Sequence, residues 1–391
     1  MRIALITTSF LPHVGGAEFV VHHLARNWSR QGHEVCVFNA VTAEATHADG
    51  EYVVRKFKVL RGGYRFGHHR FPFASYGARQ MARLLVDYRP DFISAHFGYP
   101  VALWLSRVRP VPRFLITCHG PALNESPSGP RRRFGIDRQI AEALNASAGA
   151  VALSSQVRGT LEGMGVVPGK IIDIPNGVET ERFGRPVDFD LRGRFGMARD
   201  ARVILSVGRE SWAKDYETGI RAFVRAARGD PGVHYLILGK GVRKWERLKA
   251  ELTGAANVVL CEGLHGDELI GAYQQADIFF LPSIKETFPL VVVEAMAAGL
   301  PEVVTDVSGS QDAIKDQENG LVVPPGNLEA AATALRRLLD DEGLGKRLGA
   351  ANRARAARYD WGRISRMYLE HLPDERPPAP ERVDAHARAA R

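Results

Sequence analysis

The chain alternates short apolar runs of strand length with longer stretches that are apolar on one side. Residues 2–7 form the first such run, residues 17–31 repeat apolar side chains at the spacing of one helix face, and residues 34–39 form the next run. Further β runs occupy 92–95, 114–118, 149–154 and 171–174. After Asn176-Gly177-Val178 the rhythm pauses through a polar segment with Gly and Pro, residues 181–200. It restarts with runs at 203–207, 235–238, 258–261, 278–281 and 303–305, with a helical stretch at 216–228 and others between them. Alternation of this kind predicts parallel sheets with helices on both faces. Two series joined by a linker near 182–200 predict an α/β chain of two doubly wound domains. Ligands in such sheets bind beyond the carboxyl ends of the strands, so a cleft between facing domains is the expected site. Three helical stretches follow at 328–339, 344–357 and 361–371. Residues 373–391, rich in Pro, Ala and charge, are expected to be disordered.

Composition changes this picture little. The chain has 391 residues, 45% hydrophobic and 25% charged, as expected of a folded protein with two or more domains. Its formal charge is +8, but the basic residues are scattered and the densest run is Arg131-Arg132-Arg133. A solvated arginine-rich surface accounts for this, and a local anion or membrane patch around Arg131 is the alternative. Zinc-finger spacing, an RNA-binding aromatic motif and a long basic helix are absent, so no nucleic-acid partner is expected. Cys36, Cys118 and Cys261 lie far apart in apolar runs and read as buried thiols in a reducing compartment. No apolar stretch reaches 18 residues and no secretory core is present at residues 1–8. The expected location is cytoplasmic, with peripheral contact at the inner membrane face if the basic loops meet lipid.

The richest chemistry lies in residues 281–301. A strand ends at Leu281, a loop carries Glu286, and Pro289 sits where a helix can begin without a backbone N–H. That helix runs through Glu294 to Ala298 and stops at Gly299-Leu300-Pro301. A helix start offers free N–H groups and a positive dipole end, which suits a diphosphate. Glu294, one turn in, can accept hydrogen bonds from ribose hydroxyls, and Glu286 can do the same for a sugar ring. Two solvated or capping glutamates would give the same sequence.

This segment resembles the E-x7-E signature of the family 4 group of retaining GT-B glycosyltransferases. The match includes both glutamates, the apolar run between them and Ala295-Met296-Ala297-Ala298-Gly299. The resemblance implies a GT-B fold, two Rossmann-like domains facing across a cleft. It places the N-terminal, acceptor-side domain at 1–184, joined by a C-terminal helix at about 361–372, and the donor domain at 185–360. It also assigns Glu294 to the ribose and Glu286 to the transferred sugar, with Phe288, Pro289, Leu290 and Val291 meeting the sugar and diphosphate through backbone. Ser206-Val207-Gly208-Arg209 followed by Lys214 is similar to the family's pyrophosphate-binding pair, and Gly15-Gly16 to its N-terminal glycine loop, which puts Gly16 near the phosphates or acceptor. His119, after Thr117-Cys118, corresponds to a histidine beside the transferred sugar, and Leu264 to a position whose backbone meets the base. Taken alone, an Arg and a Lys after a strand, or one His, are ordinary surface and structural residues. The chain departs from the family pattern at Pro289 and Asp215, where Gly is common, at Glu302 in place of an apolar residue, and at Val307-Ser308-Gly309-Ser310 in place of a Gly pair.

The resemblance implies a retaining, metal-independent hexosyltransferase that uses a nucleoside-diphosphate sugar as co-substrate and needs no cofactor. Glu286, His119, Arg209 and Lys214 carry catalysis, and the acceptor is a hydroxyl on a glycan, glycolipid or small molecule, with polysaccharide or glycolipid assembly preferred. Glycosylation of a soluble natural product, and an epimerase or pseudoglycosidic enzyme of the same fold, are the alternatives. Loops at 66–76 and 122–134, with His68, His69, Arg70 and the Arg131 run, are expected to read the acceptor. A dinucleotide oxidoreductase is disfavoured, since no Gly-x-Gly-x-x-Gly follows the first strand.

Overall fold

The structure is a computed structural model that describes residues 1–12, 15–41, 45–46, 50–59, 72–119, 135–307 and 309–371. His68, His69, Arg70, the Arg131 run, the loop at 122–134 and the tail at 373–391 lie outside the described residues. The chain divides into two compact units. Unit 1 comprises residues 1–175 and the chain from Ile364; unit 2 is Asn176–Arg363.

Unit 1 holds an eight-stranded sheet in the order β3-β4-β2-β1-β5-β6-β7-β8. The strands are β1 Arg2–Ile6, β2 Glu34–Asn39, β3 Ala45–Thr46, β4 Val53–Lys56, β5 Phe92–His96, β6 Leu115–Thr117, β7 Gly149–Ala152 and β8 Ile171–Asp173. All pairings are parallel except β3 with β4. Central strands in such a sheet are covered on both faces, which is why Ile3, Ala4, Leu5 and Ile6 form an unbroken apolar run with no exposed surface. The order reverses between β1 and β5, so the loops leaving those strands flank the switch point. Helix α1, Gly16–Arg30, follows β1 and buries Val20, Val21, Leu24, Ala25 and Trp28.

Unit 2 holds six parallel strands in the order β11-β10-β9-β12-β13-β14. They are β9 Arg202–Val207, β10 Val233–Leu238, β11 Val258–Cys261, β12 Ile278–Leu281, β13 Glu302–Thr305 and β14 Leu321–Val323. Here the switch point falls between β9 and β12. The helices that matter for the site are α2 Tyr216–Ala227, α3 Gly266–Gln275, α4 Leu290–Ala298 and α5 Glu342–Ala356. Helix α4 packs against α3, α5 and the short helix Thr180–Gly184. It is apolar nearly all round and buries Val292, Val293, Ala295, Met296, Ala297 and Ala298, as a helix covered on several sides must be.

The last described helix, α6 Trp361–Glu370, begins in unit 2 and ends in unit 1. Its start is tied by Val178 N–H to Tyr359 O (2.7 Å) and Trp361 N–H to Val178 O (3.2 Å). A Cβ on Gly177 would lie 2.6 Å from the Trp361 ring, so the Asn-Gly-Val segment needs its glycine for close approach. In unit 1, Trp28 Nε1 donates to Ser365 O at 2.9 Å, and the Tyr368 and Thr117 hydroxyls lie 3.0 Å apart.

Three strands were not anticipated from the pattern. β3, β4 and β14 are short, at most four residues each, and lie at or next to sheet edges. Val53, Arg55 and Lys56 of β4 face solvent, which removes the hydrophobic signal a central strand carries. No described helix is long and apolar enough to cross a membrane.

Candidate active site

Unit 2 gathers its polar residues at the switch point. The loop leaving β9 carries Gly208, Arg209 and Lys214, and the loop leaving β12 carries Ser283 and Glu286. Lys214 Nζ lies 2.7 Å from Glu286 Oε1, with both side chains about 15% exposed at 16% and 14%. Ser283 donates its hydroxyl to the same oxygen at 2.8 Å, and Ile284 N–H to Ala213 O at 2.8 Å, so the two loops are sewn together. A hydrogen bond from Thr305 Oγ1 to Ser283 O, 2.5 Å, anchors the second loop to the end of β13.

Backbone conformation explains two departures from the family pattern. Asp215 stands at φ +46°, the left-handed region where glycine is common, and its carboxylate accepts from Thr218 N–H to cap α2. Asp tolerates that region better than most residues and is also a strong N-cap, so it serves both needs. Tyr216, next in the chain, donates its hydroxyl to Gly208 O at 2.8 Å. A Cβ on Gly208 would lie 2.8 Å from Lys214 Cε, so the ammonium is packed onto bare backbone.

Pro289 is the residue before α4 rather than its first helical residue, at φ −75° and ψ 108°. The first N–H groups of the helix, at Leu290 and Val291, have no partner inside it. Gly309, at φ +73°, lies against the same turn; a Cβ there would be 2.7 Å from Phe288 Cα and 2.8 Å from Thr287 O. Phe288 is buried and its ring lies 6.0 Å from that of Tyr359. Glu294, in α4, accepts from the Tyr273 hydroxyl at Oε2, 2.7 Å. Burial pushes the Glu294 carboxyl above the usual carboxylate range; the Tyr273 hydrogen bond and the Lys214 charge pull it back, and Glu179 adds to the rise.

The remaining unit 2 residues are spread more widely. Arg209 is exposed and has no hydrogen bond or ion pair among the described residues. Leu264 is buried in the loop after β11, two strands from the switch point. Glu302 stands at the amino end of β13, away from the loops at the carboxyl ends. It is fully buried, with Oε1 accepting from Asn352 Nδ2 at 3.2 Å and Oε2 without a partner among the described residues.

In unit 1, Gly16 begins α1 beside the β1 switch-point loop. Glu18 lies over Gly15, where a Cβ would meet its Oε2 at 2.5 Å. His119 follows β6, is 4% exposed, and shares a 3.0 Å hydrogen bond between its Nε2 and His96 Nδ1. The two rings are stacked at 5.3 Å, and Phe97, at φ +71°, leans on His119 from 5.1 Å. Burial pushes His119 down to about 3 and holds His96 well below the usual range, with the His119 charge adding to the latter, so both rings are neutral.

Comparison with known proteins decides the class. The family described as Glycosyltransferase Family 4 matches residues 14–182, and Glycosyl transferases group 1 matches residues 188–355. The chain is 29% identical to D-inositol 3-phosphate glycosyltransferase of Nocardia farcinica, over 94% of this chain and 88% of that one. The chain is a GT-B glycosyltransferase. Sucrose-phosphate synthase from Thermosynechococcus elongatus superposes with a TM-score of 0.78 at 22% identity, covering 94% of this chain and 97% of that one. HepE of Anabaena, solved in complex with UDP, gives 0.77 at 18% identity, covering 95% and 99%.

Within this glycosyltransferase, the structure brings Lys214, Glu286 and the start of α4 to one end of the unit 2 sheet, with Glu294 one turn further. It also adds residues that were not singled out from sequence. Ser283 lies three positions before Glu286, and its hydroxyl was masked by the stronger glutamate signal. Tyr273 and His96 touch Glu294 and His119 across 21 and 23 residues of chain, distances at which no local pattern operates.

Proposed function

We propose that this glycosyltransferase moves a hexosyl unit from a nucleoside-diphosphate sugar to a hydroxyl acceptor, with retention at the anomeric carbon and without a metal. The observation that carries the reading is the Lys214–Glu286 pair spanning the unit 2 switch point, 2.7 Å apart. Cleavage of a glycosyl–phosphate bond builds positive charge on the sugar and negative charge on the departing diphosphate. Lys214, Arg209, which has no ion pair among the described residues, and the N–H groups of Leu290 and Val291, which have no partner inside the helix, are preorganised donors for that negative charge. Removing one such donor typically costs about 3–4 kcal/mol. For unit 1, the family resemblance assigns Gly16 to the phosphates or acceptor.

In this reading Glu286 leaves Lys214 when a diphosphate arrives and accepts from sugar hydroxyls. Glu294 accepts from the ribose, and Phe288, Pro289, Leu290, Val291 and Leu264 present backbone to sugar, phosphate and base. The acceptor attacks from the face the leaving group departs, and a phosphate oxygen takes its proton, so no enzymic nucleophile is required. His119 is neutral and held by His96; its Nδ1 has no partner among the described residues, and we assign it to orient a hydroxyl. The relative solved with UDP supports a nucleoside-diphosphate donor.

The acceptor we favour is a growing polysaccharide or glycolipid. A phosphorylated small polyol or sugar is the second reading, favoured by the names of the inositol-phosphate and sucrose-phosphate relatives. Incubation with UDP-glucose, ADP-glucose and GDP-mannose in EDTA, with acceptors of both kinds, tests the proposal by proton NMR of the product. Transfer with the donor's anomeric configuration kept is expected. An inverted product, or transfer abolished by EDTA and restored by a divalent cation, contradicts it.

A further inference from the structure

Tyr273 is the residue of α3 that reaches the site, and its surroundings are built. It has no exposed surface, and its ring is gripped edge-on by Phe183 at 5.5 Å and stacked on Phe279 at 5.9 Å. A ring held on both sides aims its hydroxyl in one direction, and that direction is Glu294 Oε2, 2.7 Å away. A phenol has one proton to donate, and here it goes to a carboxylate, the stronger kind of hydrogen bond. Burial raises the Tyr273 hydroxyl well above its ordinary range, and the neighbouring Glu294 charge adds to this, so the proton stays on the phenol. Oε2 is occupied from the protein side, and Oε1, with no hydrogen bond among the described residues, is the oxygen open to a ligand.

The charged surroundings of Glu294 make this contact matter. Burial, with Glu179, disfavours its ionised form; Tyr273 and Lys214 favour it. Glu302 and Tyr216 also oppose ionisation of the Tyr273 hydroxyl, more weakly than burial and Glu294. On the α5 side, Arg353 is engaged with Ala298 O at 2.8 Å, at the far end of α4.

We propose that Tyr273 is a positioning residue for donor recognition: it fixes the Glu294 carboxylate in one orientation and keeps it an acceptor for the vicinal hydroxyls of the donor's ribose. The proposal rests on the assignment of Glu294 to the ribose, and the test separates the two. UDP, ADP and GDP and their 2′-deoxy counterparts are titrated calorimetrically against wild type, Glu294→Gln and Tyr273→Phe between pH 5.5 and 8.5. The phenylalanine keeps both ring contacts and removes the hydroxyl alone.

In wild type the ribonucleotide binds more tightly than its deoxy form. In Tyr273→Phe that preference shrinks by about tenfold, with deoxynucleotide affinity nearly unchanged, because a hydrogen bond to a charged group has been lost. The acid limb of ribonucleotide binding also moves to higher pH. A purely structural tyrosine would weaken both nucleotides alike and leave the limb in place. An unchanged ribo-to-deoxy ratio and limb in Tyr273→Phe, with the ratio lost in Glu294→Gln, overturns the role of Tyr273. An unchanged ratio in Glu294→Gln overturns the ribose assignment itself. Should Tyr273→Phe not fold, 3-fluorotyrosine at position 273, a stronger donor of similar size, is expected to move the acid limb to lower pH; an unmoved limb contradicts the proposal.

Discussion

Lys214 Nζ and Glu286 Oε1 lie 2.7 Å apart across the point where the unit 2 sheet reverses its order. The pair neutralises in the unliganded protein the two charges that the donor is proposed to separate. Glu286 therefore competes with a diphosphate for the ammonium. Glu286→Gln is expected to bind free UDP, GDP or ADP severalfold more tightly than wild type while transferring sugar more slowly. Lys214→Ala is expected to lose about a hundred- to a thousandfold in transfer rate. Calorimetry and initial-rate assays on the two variants check both statements; weaker diphosphate binding in Glu286→Gln contradicts the competition.

The His96–His119 pair gives the protein an acid weakness. The folded state keeps both rings neutral, His119 down to about 3, whereas the unfolded chain takes up protons below about pH 6.5. Their contribution is full above that pH and is lost as pH falls, by up to about 1.4 kcal/mol per pH unit for each ring. Urea unfolding at pH 7.0 and 5.0 is expected to show a smaller loss in His119→Gln than in wild type. Equal losses would mean that the ring titrates alike in both states.

Glu302 has the opposite sign. Burial raises its carboxyl well above the usual range, so the folded protein keeps a proton that the unfolded chain releases above about pH 4.3. Stability is full below that pH and falls as pH rises towards the folded value. Glu302→Gln retains an acceptor for Asn352 without the titration. Its melting temperature is expected to exceed that of wild type at pH 8 by more than at pH 4.5; parallel curves contradict this.

Gly309→Ala places a methyl 2.7 Å from Phe288 Cα at a φ of +73°. Neither backbone partner can swing aside as a flexible side chain would. We expect a loss of about 1–3 kcal/mol in unfolding free energy and weaker diphosphate binding, since the turn before α4 must shift. Denaturant titration with and without UDP, GDP or ADP measures both; intact stability and binding would show that the turn yields freely.

The parts of this protein that were legible in sequence are those whose signal is local. The buried parallel strands announce themselves as unbroken apolar runs, and α4 by an apolar stretch ended by Gly299, which takes φ +80°. Glu286 and Glu294 stand out because one segment of nine residues carries both. Asp215 looked like a defect where Gly is common, and only the backbone shows that it adopts glycine's conformation while capping α2. Tyr273 was silent because an aromatic at a buried helix position reads as core, which its ring is; its hydroxyl finds Glu294 only through the packing of α3 against α4. Glu302 was visible as a departure but not interpretable, since its partner Asn352 lies 50 residues away.

Unit 2 is proposed to hold a nucleoside diphosphate through Lys214. Thermal unfolding of wild type and Lys214→Ala, each titrated with UDP, GDP and ADP in EDTA, measures this directly. At least one nucleotide is predicted to stabilise wild type, by about 2.7 kcal/mol at a hundredfold excess over its Kd, and to leave the variant nearly unmoved. No stabilisation of wild type by any of the three, or an equal shift in both proteins, contradicts it.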